Sequence, residues 1–253
     1  MPVDTAVVVP CFDEAERLDG DEFLAHLDRD PRVRFEFVDD GSSDGTPELL
    51  ERIVAAAGGR ARLTRLERNR GKAEAVRRGM LAALAAGPTF AGYWDADLST
   101  PLEAVGELRA VLESRPEIAL VLGSRVKLLG RTIERSAVRH YAGRIFATAA
   151  SWTLGWPVYD TQCGAKLFRV TEATRGLFDE PFLSGWAFDV ELLIRFDRAL
   201  AERGRPALEA VVEHPLAVWR DRPGSKVRPW DLLRAIHDLV RVRAAYSKRS
   251  RRT

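Results

Sequence analysis

The chain has 253 residues, enough to bury a sizeable core, and its 46% hydrophobic and 30% charged residues exclude a disordered or fibrous protein. Its 39 basic and 37 acidic residues nearly cancel to +2, so the overall charge gives no reason to expect a nucleic-acid partner. Two cysteines, Cys11 and Cys163, lie far apart with no CxxC and no nearby His pair, which excludes a disulfide framework or zinc site and suits a reducing cytosol.

In chain order, short β-branched runs alternate with helical patterns. Strands are predicted over 5–10, 34–40, 61–66 and 90–95, with helices over 20–29, 47–57 and 72–86 between them. The second helix has clear punctuation, with Thr46 as N-cap, Pro47 in the first turn and Gly58 and Gly59 at the stop. Thr100, Pro101 and Glu103 predict a capping box opening a further helix that runs to about Arg115, followed by a strand over 118–124. The rest reads as helical over 134–156, 188–203 and 229–246, the last followed by the basic tail "SKRSRRT" at 247–253. Strands separated by single helices imply right-handed crossovers and a mostly parallel sheet, an α/β fold whose ligands bind beyond the strands' carboxyl ends. Neither GxGxxG nor GxxxxGK[ST] occurs, so the dinucleotide and P-loop fingerprints are absent. "MPVDTAVVVP" lacks a signal-peptide pattern, and the longest uncharged stretch, 145–159, falls short of the roughly 18–20 residues a membrane span needs. The expectation is a soluble or peripheral protein.

Carboxylates gather at the strand ends. Glu14 follows the first strand, Asp39 and Asp40 close the second, and Asp95 and Asp97 close the fourth. One such Asp is usually a turn or cap residue. Three sets on one edge repel one another and call for a cation or a donor-rich ligand. From Asp40, the run "DGSSDGTPELLE" also approximates an EF-hand loop through Asp40, Ser42, Asp44, Gly45 and Glu51. The preceding "DPRVRFEFV" reads as a strand rather than an entering helix, and Pro47 suits a helix start, so context opposes calcium. Gly71 and Lys72 open a helix, where backbone N–H groups and a cation suit an anionic ligand. A DxD pair beside them suits Mg²⁺ or Mn²⁺, which take one or two carboxylates and fill the shell with substrate phosphates.

The ordered set "VVVPCFDEAE", "FVDDGSSDGT", "NRGKAEAVRRGM", "DADLSTP", "GSR" and "DTQCGAKLF" resembles family 2 glycosyltransferases of GT-A fold. Within them, "DTQCGAKLFR", "GWAFDVELLIR" and "WRDRPGSKV" resemble the polyprenyl- or dolichyl-phosphate sugar synthases, dolichyl-phosphate glucosyltransferases above all, with bacterial polyprenyl-phosphate hexosamine synthases also similar. The resemblance implies a Rossmann-like GT-A domain over 1–226, divided into a nucleotide-sugar half to about 125 and an acceptor half from about 126. Residues 227–253 would form a C-terminal amphipathic helix with a basic tail. It implies an inverting enzyme with a nucleotide-sugar donor, UDP-linked hexose or N-acetylhexosamine, and a polyprenyl phosphate acceptor. By motif position, Pro10, Phe12, Glu14, Asp40, Gly71, Lys72, Asp95 and Ala96 would bind the nucleotide-sugar, and Asp95 and Asp97 would hold Mg²⁺ or Mn²⁺. Asp97, Arg125, Asp160 and Arg220 would serve catalysis, and Arg131, Arg139, Asp189, Ser225 and Lys226 the acceptor. Related mannosyl-type synthases often read "DADLQ" where this chain has Ser99, and Phe12 stands where Tyr is commoner.

A phosphate acceptor arrives mostly dianionic, its second pKa being about 6, so the protein need only position it and relieve charge. Arg125, Arg131, Arg135, Arg139, Arg220 and Lys226 offer cations for that task, and Asp160 is a base candidate that the chemistry does not require. Two segments suit either the lipid or ordinary packing within the domain. One is apolar 145–158 with Trp152 and Trp156. The other is the last helix, with Trp230, Leu232, Leu233, Ile236, Leu239 and Val240 on one side. These place the chain in the cytoplasm, peripheral at the inner face of a membrane. Against this stand a family 2 enzyme with a non-lipid acceptor, a sugar nucleotidyltransferase, whose Gly-rich basic loop "PCFDEAE" lacks, and a non-catalytic nucleotide-sugar-binding module.

Overall fold

A computed structural model describes residues 3–134, 137–221 and 229–249, without the side chains of 137–142, 229–234, 248 and 249. In chain order the elements are β1 (Thr5–Cys11), α1 (Gly20–Arg29), β2 (Val33–Asp39), α2 (Thr46–Ala56), β3 (Ala61–Arg65), α3 (Lys72–Ala85), β4 (Phe90–Trp94) and α4 (Glu103–Ser114). Then follow β5 (Leu120–Ser124), β6 (Thr132–Glu134), α5 (Ala137–Leu154), β7 (Ala165–Arg169), α6 (Glu172–Arg175), α7 (Phe188–Ala201), β8 (Val211–Pro215), β9 (Val218–Arg220) and α8 (Pro229–Arg249).

Seven strands form one sheet in the order β3-β2-β1-β4-β7-β5-β8. Every pairing is parallel except those of β7, which runs antiparallel to β4 and β5. A small parallel pair, β6 with β9, lies apart. The sheet is buried on both faces because its strands alternate side chains between two helical layers. Val7, Val9, Phe35, Phe37 and Trp94 face α1, α2 and α4 through Phe23, Leu27, Leu50, Ile53, Leu108 and Leu112. Ala6, Val8, Val38 and Tyr93 face α3 and α7 through Val76, Met80, Leu192 and Phe196. The chain leaves β1 toward β2 on one side, and β4 lies on its other side. This switch in strand order opens a crevice beyond the carboxyl ends.

The structure revises several details. Gly45 rather than Thr46 caps α2, because the Thr46 hydroxyl instead accepts the Glu14 N–H at 2.7 Å. No capping box opens α4. The helix begins at Glu103 behind Leu102, and the buried Thr100 carbonyl accepts the Trp94 indole N–H at 2.8 Å, a partner that a fully buried tryptophan requires. β7 and β8 and the three-residue strands β6 and β9 are absent from the sequence reading. The C-terminal helix α8 is present, and it packs on the domain. Ala235 and Leu239 pack with Phe146 and Ala150 of α5 and Ala187 and Val190 beside and on α7. Val242 and Tyr246 are buried on the same side. Trp156 is likewise a core residue, whereas Trp152 is 70% exposed. Trp230, Leu232, Leu233 and the last four residues of the basic tail lie outside the described residues or side chains.

His26 of α1 is buried at 3% exposure against Phe35, and neither ring nitrogen has a hydrogen-bond partner among the described residues. Burial pushes its imidazole below the ordinary 6.5, against the opposing pull of Asp30 and Glu103. Below that pH the unfolded chain takes up a proton that the folded chain refuses, so stability falls with pH by at most about 1.4 kcal/mol per unit. His26→Leu should therefore narrow the difference in melting temperature between pH 7.5 and pH 5.5. An unchanged difference would assign the acid sensitivity to another group.

Candidate active site

The cavity at the switch point has a volume of about 310 Å³ and is lined by Pro10, Cys11, Phe12, Glu14, Asp40, Asn69, Gly71, Lys72, Ala75, Asp95, Ala96 and Asp97. All eight residues that the sequence motifs assign to the nucleotide-sugar are in this lining, with Asp97 beside them. Cys11, Asn69 and Ala75 join them without having been singled out.

The loops after β1, β2 and β4 make the wall together with the loop that opens α3, and each is tied to the next. The loop after β1 is bonded to the loop after β2: Asp13 N–H donates to Ser42 Oγ at 3.0 Å, Ser43 N–H to Asp13 Oδ1 at 2.9 Å, and Ala15 N–H to Asp44 Oδ2 at 3.1 Å. Asp44 thus holds backbone, and Glu51 pairs with Arg65, so the EF-hand-like spacing makes no cation cage. Glu14 pairs with Arg17. Asp40 accepts the N–H groups of Arg70 at 2.7 Å and Gly71 at 2.8 Å, fixing the loop that opens α3. Burial raises the Asp40 pKa, and those two backbone bonds oppose the rise. Gly71 stands at φ 89°, a left-handed conformation that glycine adopts without steric cost.

The third loop carries the DxD pair. Asp97 Oδ1 accepts the Ser99 N–H at 2.9 Å, and Leu98 between them is held at φ 51°. Such a conformation costs of order 1 kcal/mol or more for a non-glycine residue and collects at functional turns. Asp95 donates its N–H to the Gly164 carbonyl at 3.0 Å and pairs with the Lys72 ammonium. Burial works most strongly against the Lys72 charge, yet Asp95, Asp189 and Asp97 outweigh it and hold the ammonium above its ordinary pKa. Burial likewise works most strongly against Asp95. There Lys72, Lys166 and Arg125 outweigh it, and the carboxyl sits below its usual range.

This donor set fits Mg²⁺ or Mn²⁺: two carboxylates one residue apart, one of them already facing a cationic ammonium. Among the described residues no three His, Cys, Asp or Glu side chains come together as a closed cage. Asp95 and Asp97 would supply the protein's share of a shell that phosphate oxygens and water complete.

Opposite this wall, Asp160 grips Arg125 with a bidentate pair, 2.6 Å to Nε and 2.7 Å to Nη2, and also accepts the Arg125 backbone N–H at 3.1 Å. The Glu213 carboxylate of β8 accepts the N–H groups of Tyr159 and Asp160, both at 2.8 Å, and fixes that turn. The Arg125 guanidinium also lies 5.5 Å from the Trp219 ring centre. Asp160 is thus committed to orienting a cation. Arg220 is exposed on β9, and its N–H donates to the Ser99 carbonyl at 2.9 Å, so β9 touches the DxD loop directly. Arg131 is exposed just before β6, with its N–H on the Leu128 carbonyl at 3.2 Å. Asp189, expected among the acceptor residues, does not line the cavity. It is buried in the first turn of α7, bonded to Tyr93 and Lys166. Arg135, Ser225, Lys226 and the Arg139 side chain lie outside the described positions.

Gly164 belongs to a quoted motif but was given no role. A Cβ there would lie 1.9 Å from Asp95 Oδ2, so only glycine lets the carboxylate rest on this turn.

The sequence profile of "Glycosyl transferase family 2" matches residues 6–173. A dolichyl-phosphate beta-glucosyltransferase of Drosophila melanogaster is 34% identical over 267 residues, covering 96% of this chain and 76% of its own. The Homo sapiens dolichyl-phosphate beta-glucosyltransferase is 33% identical over 257 residues, covering 95% and 75%. Among solved structures, glucosyl-3-phosphoglycerate synthase from Mycobacterium tuberculosis in complex with Mn²⁺ and UDP-glucose superposes with a TM-score of 0.65 at 23% identity, over 96% of this chain and 78% of that one. That likeness establishes the GT-A fold.

Gly164→Ala should push the Asp95 carboxylate off its seat and lower turnover on the order of 100-fold, the usual cost of misplacing a reacting group by an ångström. Circular dichroism should report a folded protein. Full activity would show that Asp95 does not need this position.

Proposed function

The chain belongs to glycosyl transferase family 2, and from that premise we propose that it is an inverting, metal-dependent enzyme moving a sugar from UDP to a polyprenyl phosphate. The observation that carries this reading is one cavity in which the DxD pair of the β4 loop meets the β1 and β2 loops, with Arg125 close enough to help hold the Asp95 charge and the Arg220 N–H bonded to the Ser99 carbonyl. Dolichyl-type acceptor and glucosyl donor are supported by relatives of that name spanning nearly the whole chain.

In this reading the nucleoside lies against Pro10, Phe12, Glu14 and Asp40, and the diphosphate lies near Gly71, Lys72, Asp95 and Asp97. Bound at Asp95 and Asp97, Mg²⁺ or Mn²⁺ would supply positive charge to the diphosphate. The acceptor phosphate is mostly dianionic at pH 7 and needs no general base. Arg125, oriented by Asp160, and Arg220 relieve its charge and aim one oxygen at the anomeric carbon. That oxygen forms the new bond as the anomeric carbon–oxygen bond to UDP breaks, inverting the centre. Lys72 stands ready to offset charge on the departing diphosphate.

The acceptor's lipid places this activity at a membrane surface, which we assign to the cytoplasmic face. Among the described residues no helix is long and apolar enough to cross a membrane. Cys11 and Cys163 are free and buried, as in a reducing compartment. A peripheral contact is supported by Trp152, whose ring lies 3.8 Å from the Arg243 guanidinium, and by Ile145, 57% exposed seven residues earlier on the same side of α5.

The test incubates the protein with a short polyprenyl phosphate and a panel of UDP- and GDP-sugars, with Mg²⁺ or Mn²⁺ and with chelator. Lipid-linked product is expected from a UDP-sugar, lost with chelator and lost at least about 100-fold in Asp97→Asn. The rate should rise with pH through about 6 as the acceptor phosphate loses its second proton. Product on soluble phosphates alone would refute the lipid acceptor. Trp152→Ala, or deletion of residues 247–253, should weaken flotation with anionic liposomes, and unchanged flotation of both would refute that contact.

A further inference from the structure

Lys166 is the least expected residue in the sheet. It is the second residue of β7, at 0% exposure, and its Nζ donates to Asp189 Oδ1 and to the Cys163 carbonyl, both at 2.6 Å. The ammonium also lies 5.2 Å from the centre of the Tyr93 ring, and the Tyr93 hydroxyl donates to the same Asp189 oxygen. A buried ion pair is a poor device for stability, since well-packed apolar residues of similar volume often serve as well or better. Its value here lies in what it holds.

Two backbone arms enter the Asp95 turn. One is β4, where Tyr93 precedes Asp95 by two residues. The other is the Cys163–Gly164 segment, whose Gly164 carbonyl accepts the Asp95 N–H and whose Cα lies under the carboxylate. Asp189 reaches the first arm through the Tyr93 hydroxyl and the second through Lys166 and the Cys163 carbonyl. One carboxylate therefore ties both arms together. Asp189 itself occupies the first turn of α7, where the helix dipole favours its charge.

We propose that Lys166 and Asp189 are positioning residues that set the Asp95 turn for the nucleotide diphosphate. Asp189 acts from beneath the site rather than on the acceptor. This inference rests on the nucleotide-sugar reading of the cavity.

The experiment compares melting temperature with affinity for UDP in the presence of Mn²⁺, measured by calorimetry, so that no turnover is required. Lys166→Met alone leaves a buried carboxylate unpaired and should melt lower. The double variant Lys166→Met with Asp189→Leu should recover most of that loss yet bind UDP with Mn²⁺ at least tenfold more weakly. Asp189→Asn, equal in size and still able to accept from Tyr93, provides a second variant, expected to fold and to bind several-fold more weakly. Arg109→Met is the control: it breaks a buried pair with Asp30 at 2.6 Å far from the cavity and should lower the melting temperature without changing UDP affinity. Wild-type affinity in a folded double variant or in Asp189→Asn would overturn the proposal. Absence of UDP binding by the wild-type protein would instead overturn the nucleotide-sugar reading beneath it.

Discussion

Everything in this site depends on keeping Asp95 charged in a crowded, half-sheltered place. Its carboxylate is pressed against a glycine turn, two residues from Asp97 and near Asp189. Burial works against its charge. Lys72 from α3, Lys166 from β7 and Arg125 from the end of β5 make the difference, and they come from three separate parts of the chain. The acidic edge is thus a balanced cluster before any ligand arrives, and a diphosphate with its cation would enter with charges already paired.

The fold delivers these parts by two routes. Parallel strands β1, β2 and β4 bring Glu14, Asp40 and the DxD pair to one edge, as crossover connections do in any doubly wound sheet. The acceptor side arrives differently. β7 inserts antiparallel between β4 and β5, which sets Ala165 beside Trp94 and the preceding Gly164 against the Asp95 turn, and β9 hands Arg220 to the Ser99 carbonyl. The same antiparallel strand carries the buried lysine, and the glycine seat immediately precedes it.

The first route was legible in the sequence. Period-two apolar runs separated by helical segments marked β1 to β5 closely, and carboxylates at their ends marked the cavity. The second route was not. β7 is "AKLFR", five residues with a lysine where a core strand should be apolar, and only Asp189 on a distant helix makes that lysine tolerable. β6 and β9 have three residues each, too few to show a period. Thr100 and Glu103 had the spacing of a capping box, but tertiary demand from the Trp94 indole claimed that turn. The apolar face of α8 was visible, yet the pattern could not distinguish lipid from protein as its partner, and α5 and α7 supply it. Asp189 was noticed for its motif, but its burial against Tyr93 and Lys166 was not visible, because a buried carboxylate and an exposed one look alike in sequence.

The placement of β7 also orders events during synthesis. Strands β1 to β4 leave the ribosome first and can pair among themselves, but the outer edge of β4 stays open until residue 169 has emerged, and β5 must wait for the same strand. Its last neighbour, β8, comes some forty residues later. The nascent chain therefore carries an unpaired apolar edge through much of its translation, the kind of surface that invites intermolecular pairing and chaperone capture. Because the glycine seat arrives with β7, a chain cut short before it would hold the DxD residues without the turn that presents them.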